Sequence, residues 1–223
     1  LAGGWMHSFF DIKRPLWDEK YDYSHLYENQ RKYDLVSGIG GIQHFNMDMK
    51  MGLSLGFGGL KNKVEKYWEK NKGLNDSFYE AELNVVLGMK DMIWRHAEAA
   101  SRLADNEKRP EIKKSLRIMS DVNKRLIDNP PETFLEAVQW TAWFVIFAVM
   151  FNFSVAGGAI DDYLYQYYLK DKKAGNITDD EAIFHLACLL NKDNQYYQIC
   201  GTKADGSDMT NELSFFMIEA AHR

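Results

Sequence analysis

The stretch that most constrains the fold is WTAWFVIFAVMF, residues 140–151, which is apolar on every side of a helix. It lies in a segment from Ala137 to Ile160 without a charged residue, and that length would permit a membrane span. Interspersed polar residues and the lack of flanking Lys or Arg favour a buried helix instead. We therefore predict a helix over 131–151. Because it would have to be covered on several sides, it is typical of a protein larger than a small bundle.

Composition limits the class of protein. The chain has 223 residues, 46% of them hydrophobic, which is enough for a sizeable core. Its net charge is −5, and its 27 basic residues are scattered among 32 acidic ones, so we expect no nucleic-acid partner. Cys188 and Cys200 are its two cysteines, which excludes a disulfide framework and predicts a reducing, cytoplasmic setting.

Start and stop signals predict the helices around this stretch. Residues 49–68 have helical spacing interrupted by glycines, which predicts a broken helix. SFYE, residues 77–80, has the form of a capping box and predicts a helix over 77–105. Pro110 suits the first turn of a helix over 110–127, whose predicted apolar side is Ile112, Leu116, Met119 and Val122, flanked by Ile118.

The carboxy-terminal third adds helices and a strand. A helix is predicted from Asp161 to about Lys172, with a turn at Gly175. TDDE, residues 178–181, is a second capping-box pattern and predicts a helix over 178–190. A strand is expected within 194–202, followed by a turn at 204–206 and a helix that begins near Thr210.

The domain organisation is simple. Residues 1–41 lack clean periodicity and are left irregular and unassigned, and no repeat or linker divides the rest. We therefore expect one partial domain over 1–223, mainly α, with one or two strands. The starting residues LAGGW have no secretory signal, and the final EAAHR stops within a predicted helix, so both ends are expected to be cut ends.

Motif searches identify no active site. There is no P-loop, no GxGxxG after a strand, no HExxH, no GxSxG and no cysteine pair with metal spacing. No catalytic residue and no metal ligand is therefore assigned to this chain, and no bound cofactor is expected.

Four places still suggest a hypothesis. His44 and Asp48 are four apart and could position a substrate, although an ordinary hydrogen-bonding role is favoured. Asp161 and Asp162 could act as paired carboxylates, but acidic residues are also favoured in the first turn of a helix. Cys200 could be reactive, yet no activating neighbour is visible in sequence. A tyrosine cluster favours core packing over a binding platform, and its members are Tyr163, Tyr165, Tyr167 and Tyr168.

Several segments together resemble the pyruvate formate-lyase-like glycyl radical enzymes. GAIDDYLYQYY, residues 158–168, is similar to the family pattern GRLDQYLYPYY, with Ala159 in place of the usual arginine. ADGSDMTNELS, residues 204–214, resembles the family's DGxDxTNELS segment. His44, Asp48 and the glycines that follow are also in register, and residues 131–140 resemble PARTFxEALQ. The resemblance extends from His44 onward.

The resemblance implies the amino-terminal and central part of a ten-stranded α/β barrel. It also implies a glycine-centred radical in the parent protein, installed by an activating enzyme that uses S-adenosylmethionine and an iron–sulfur cluster, and a cysteine thiyl radical that attacks a small-molecule substrate. In the family both radical loops lie carboxy-terminal to residues 204–214. The chain alone is therefore expected to be inactive, and a homodimer is left open.

Substrate-binding roles are implied for His44, Asp48, Phe153 and Ser154. Dehydratases of the family often carry a His-Ser pair where this chain has Phe153 and Ser154. This departure argues against glycerol or diol dehydration and leaves decarboxylases, addition enzymes and other members open. Phe153 would suit a larger, more apolar substrate.

The sequence leaves open two functional classes other than an enzyme of this family. A helical scaffold or interaction protein would use all of these features for packing, but the all-apolar helix over 137–151 disfavours it. A membrane-anchored helical protein would need that helix to span the bilayer.

Overall fold

The computed structural model describes residue 32 and residues 47–152, 156–192 and 196–223. Within these ranges the order of elements is α1 (Met49–Lys70), α2 (Asp76–Asn106), α3 (Pro110–Leu126), α4 (Phe134–Asn152), β1 (Ala156–Ala159), α5 (Ile160–Ala174), α6 (Asp179–Lys192), β2 (Tyr196–Gln198) and α7 (Glu212–His222). The prediction of a mainly helical chain with one or two strands is confirmed for the described residues.

Helix α1 is broken at Gly56, as the glycine spacing predicted. Gly56 has φ +62° and ψ −180°, a conformation that side chains rarely adopt. A Cβ atom there would lie 2.8 Å from the carbonyl oxygen of Asn129, and one on Gly58 would lie 2.1 Å from that of Asp128. The glycines therefore let α1 rest directly on the turn that joins α3 to α4.

Helices α2 and α3 form an antiparallel hairpin. The buried stripe of α2 consists of Ile93, Ala97, Ala100 and Ala104, and its small side chains allow α3 to approach closely. Lys124 of α3 pairs with Glu98 at 2.8 Å, and Arg117 donates to Ser101 at 3.2 Å. The predicted capping box over residues 77–80 is wrong, because α2 begins at Asp76, so Ser77 lies inside the first turn.

The predicted apolar side of α3 is only partly covered. Ile112, Ile118 and Met119 are exposed, whereas the buried positions are Ser120, Asn123 and Leu126. Asn123 belongs to the covered side, because it accepts a hydrogen bond from the Trp143 indole of α4 at 2.6 Å. Three of the five predicted apolar positions are therefore exposed, because spacing along the chain does not show which positions the neighbouring helices cover.

Helix α4 lies at the centre of the core. Trp140 is fully buried, and its ring stacks on Phe144 at 4.7 Å and on Phe57 at 5.2 Å between centroids. Phe147 stacks on Trp143 at 5.7 Å. Trp140, Val145 and Phe147 are buried, in agreement with the predicted buried environment, whereas Met150 near the end of the helix is exposed. Among the described residues, no helix has the length and apolar character needed to cross a membrane.

Strands β1 and β2 pair in parallel, with Gly158 opposite Tyr197 and an irregularity at Gly157. A Cβ on Gly157 would lie 2.1 Å from the Tyr197 ring, so glycine is required for this close approach. Between the strands, α5 ends at Gly175 with φ +71°, as expected for a helix terminus. The second predicted capping box is confirmed, because Thr178 and Glu181 exchange side-chain and backbone hydrogen bonds at the start of α6.

Candidate functional site

Asp48 is the amino-terminal cap of α1. Its Oδ1 accepts a hydrogen bond from the backbone amide of Met51 at 2.9 Å, and the side chain is exposed. The next residue, Met49, is buried in the core, which fixes the cap relative to the body of the chain. Asp48 therefore has an ordinary structural task that leaves its second oxygen available to a ligand.

A cavity of about 370 Å³ lies between Lys50 of α1 and the first turns of α5. Lys50 pairs with Asp162 at 2.6 Å at its edge, which joins the first turns of α1 and α5. The cavity is lined by Lys50, Asp162, Tyr163, Tyr165, Gln166 and Leu169. An ammonium, a carboxylate, phenols and an amide thus converge on one concave surface, which suits a small polar ligand.

Tyr165 links this cavity to α7. Its hydroxyl donates a short hydrogen bond to Glu212, and this bond raises the pKa of Tyr165 to about 12. The same bond lowers the pKa of the Glu212 carboxyl. Tyr165 is therefore a neutral hydrogen-bonding group at physiological pH. The predicted core role of the tyrosines is confirmed for Tyr163 and Tyr168, which are buried.

Asp161 has a role quite different from that of Asp162. Both lie in the first turn of α5, as the favoured interpretation predicted. However, Asp161 is 1% exposed, and its Oδ2 accepts hydrogen bonds from the Cys200 amide at 2.7 Å and from the Ser214 hydroxyl. Its main-chain oxygen accepts from Asn211 at 3.1 Å. The carboxylate therefore joins the starts of α5 and α7 to the segment that follows β2.

The two cysteines have different environments. Cys188 is exposed on α6, and partial desolvation raises the pKa of its thiol, which makes it a weaker nucleophile at neutral pH. Cys200 is half-buried and has φ +61°, the only positive φ among the described non-glycine residues. No basic side chain is recorded in hydrogen-bonding contact with either thiol within the described ranges, so the geometry gives no activated nucleophile.

The remaining predicted site residues cannot be placed. His44, Phe153 and Ser154 lie outside the described residues, so only Asp48 of the predicted substrate-binding set has a position. In the parts of the chain that the structure covers, no group of three or more His, Cys, Asp or Glu side chains could hold a metal ion.

Sequence reasoning missed two features of this region. The pairing of Lys50 with Asp162 gave no local signal, because the two residues are far apart in sequence. The connection of Asp161 to Cys200 and Ser214 was equally hidden, although all three residues lie in or near the segments 158–168 and 204–214 that carried the resemblance. The location of these residues in or near the segments that resemble the family was the signal from which the contact could have been suspected.

Comparison with known proteins identifies the family. The model of the pyruvate formate lyase-like family matches residues 36–223. The isethionate sulfite-lyase of Bilophila wadsworthia is 27% identical over 207 residues, which cover 78% of this chain and 25% of that protein. The chain thus spans about a quarter of the length of the curated relatives that it matches.

Solved structures share the fold. A B12-independent glycerol dehydratase from Clostridium butyricum superimposes with a TM-score of 0.77 at 24% identity, covering 82% of this chain and 26% of the other. A glycyl radical enzyme from Archaeoglobus fulgidus gives 0.76 at 24% identity, covering 96% and 32%. The chain belongs to the pyruvate formate lyase-like family of glycyl radical enzymes.

Proposed function

We propose that this chain forms one wall of the substrate pocket in a glycyl radical lyase or dehydratase that acts on a small organic molecule. The observation that carries the proposal is the match of residues 36–223 to the family. Fold similarity to glycyl radical enzymes at TM-scores of 0.76 and 0.77 supports the same assignment.

The proposed architecture is a ten-stranded α/β barrel to which this chain contributes β1 and β2 as one partial domain. Their parallel pairing supports it, because parallel strands occur almost only in α/β sheets that helices cover on both faces. Exposed apolar side chains of α7, such as Phe215 and Ile218, are consistent with further structure that covers this helix.

The proposed substrate-binding residues are His44, Asp48, Phe153 and Ser154. Asp48 supports this set in one respect, since its side chain is exposed and it lies two residues before Lys50, which lines the cavity. In this proposal Asp48 either orients His44 or contacts the substrate itself. Ser154 donates a hydrogen bond to the substrate, and Phe153 contributes an apolar contact.

The proposed substrate is not glycerol or another simple diol, because Phe153 replaces the histidine that dehydratases of the family often carry. An organic acid with a hydroxyl group is a suitable first candidate, since the isethionate sulfite-lyase of Bilophila wadsworthia is among the relatives. A decarboxylation or addition reaction on a larger, more apolar acid is the other candidate.

The proposed setting and partners follow from the family. A reducing cytoplasm suits a protein with two free cysteines in this chain. The radical would be installed on the parent protein by an activating enzyme that uses S-adenosylmethionine and an iron–sulfur cluster, and the parent could act as a homodimer. The radical chemistry belongs to the whole protein, while this chain supplies binding and shape.

The test uses the full-length protein, activated anaerobically with its activating enzyme. Electron paramagnetic resonance should detect a glycyl radical, and a panel that contains isethionate, glycerol and aromatic hydroxy acids should reveal turnover. His44→Ala should lower turnover while leaving the radical signal unchanged, because His44 binds substrate and not the radical loop. His222→Ala, at an exposed position, is the matched control.

Three outcomes would contradict parts of the proposal. Absence of a radical signal in the activated wild type would contradict the proposed glycyl radical activity and favour a helical scaffold protein. Equal turnover by His44→Ala and wild type would remove the site assignment alone. Phe153→His should shift activity towards diols, and its failure to do so would remove the substrate argument.

A further inference from the structure

The carboxyl ends of β1 and β2 carry a second cluster of polar groups. Asp161 follows β1 by two residues, and Cys200 follows β2 by two residues. Because the strands are parallel, both residues lie at the same edge of the sheet. In α/β barrels and open parallel sheets, functional groups gather at this edge.

Asp161 makes more contacts than the capping of α7 requires. Asn211 and Ser214 already form a complete capping box, with Ser214 Oγ accepting from the Asn211 amide at 3.0 Å and Asn211 Oδ1 accepting from the Leu213 amide at 2.9 Å. The Asp161 carboxylate adds a bond to Ser214 and one to the Cys200 amide. Its Oδ1 is buried and accepts no hydrogen bond from the described residues.

A carboxylate with one unsatisfied oxygen is costly to bury, so its burial here requires a favourable interaction that offsets the cost. Cys200 supplies a reason, since its left-handed backbone is unfavourable for a residue with a Cβ and persists only where surrounding contacts impose it. The bond of 2.7 Å from the Cys200 amide to Asp161 is the contact that holds it.

We infer that Asp161 is a positioning residue of the active site, which holds Cys200 in the left-handed conformation and thereby directs the loop of residues 201–210 at the carboxyl edge of the sheet. The inference rests on the proposed function. Asp161 acts through the main chain of Cys200 and does not itself contact substrate.

The test compares Asp161→Asn with Asp171→Asn in the activated full-length protein. Asp171 is a matched control, because it is also buried and its Oδ2 accepts a backbone amide, that of Phe134, at 2.7 Å. Both variants should lose stability, but Asp161→Asn alone should lower kcat by about tenfold or more, with KM changed by less than about threefold, as expected when a segment that shapes the active site is displaced without loss of a substrate contact.

A second readout follows Cys200 directly. Alkylation by iodoacetamide, measured peptide by peptide with mass spectrometry, should become about tenfold faster at Cys200 in Asp161→Asn because the loop opens locally. The rate at exposed Cys188 is the internal reference. Adding Cys200→Gly to Asp161→Asn should restore kcat, because glycine adopts the left-handed conformation unaided.

The outcomes separate this inference from the proposed function. An active wild type with unchanged kcat and Cys200 labelling in Asp161→Asn would overturn the inference alone. The inference would also be overturned if the two aspartate variants lost kcat equally, or if Cys200→Gly did not restore kcat. Either result would show that Asp161 has only a structural role. A wild type without radical or turnover would overturn the proposed function, and with it the active-site role.

Discussion

The indole nitrogen of Trp143 donates a hydrogen bond to the side-chain oxygen of Asn123 across 2.6 Å, and both side chains are buried. Asn123 also donates to the carbonyl oxygen of Met119 at 2.9 Å. This pair is a buried polar link between α3 and α4, which are also joined by the ion pair of Arg125 with Glu136 at 3.1 Å. His96 lies edge-on to the Trp143 ring at 5.1 Å.

Asn123→Ala should lower the free energy of unfolding by about 1–3 kcal/mol, because it leaves the buried Trp143 N–H without an acceptor. In a Trp143→Phe background the same substitution should cost less, since no indole N–H remains to be satisfied. Urea denaturation measures both values, with exposed Asn84→Ala as the control. Equal costs in the two backgrounds would show that the hydrogen bond contributes nothing.

Gly58→Ala and Gly88→Ala should change stability in opposite directions. A Cβ on Gly58 would collide with the main chain of Asp128, so about 2 kcal/mol of stability should be lost through forced displacement of the turn. Gly88 lies within α2 with open space around it, and alanine there should add about 0.5–1 kcal/mol. Thermal unfolding should separate the two, and a stable Gly58→Ala protein would contradict the close packing of α1.

Thr178→Ala should cost about 1 kcal/mol, whereas Ser77→Ala should change stability by less than about 0.5 kcal/mol. Thr178 caps α6 through its bond from the Glu181 amide, while Ser77 lies within α2 and caps nothing. Equilibrium denaturation of the two variants checks the difference. Similar losses in both would mean that α2 does begin with the capping box.

The protein should lose stability as the pH falls below about 6.5, partly through His185. Burial lowers the pKa of His185, and the nearby Glu181 offsets this only in part. The folded state therefore binds fewer protons than the unfolded state. The contribution of His185 to stability is full at pH values above its pKa in the unfolded chain, and it declines as the pH falls from that pKa towards the lower pKa in the folded chain. The urea concentration at the midpoint of denaturation should therefore fall less steeply in His185→Gln than in the wild type. It is measured from about pH 7.5 to about pH 5.5, a range that includes the ordinary pKa of histidine.

His222→Gln, at an exposed position, is the control for that measurement. An equal decline in His185→Gln and wild type would assign the acid sensitivity in this pH range to groups other than His185.

Local chemistry explains which elements could be predicted. Pro110 at the start of α3, the Thr178 cap and the glycine break in α1 each depend on residues close in sequence, so the pattern identified them. The capping box predicted at Ser77 is wrong, because α2 already begins at Asp76, whose Oδ1 accepts a hydrogen bond from the Trp68 indole at 2.7 Å.

The mainly helical class, the buried central helix and the family resemblance could be predicted, since these depend on residue type and spacing along the chain. The pairing of Lys50 with Asp162 could not, nor could the contacts of Asp161 with Cys200, 39 residues away, and Ser214, 53 residues away. Such contacts depend on how helices and parallel strands pack, because a buried carboxylate can be stabilised by any donor that the fold brings to it.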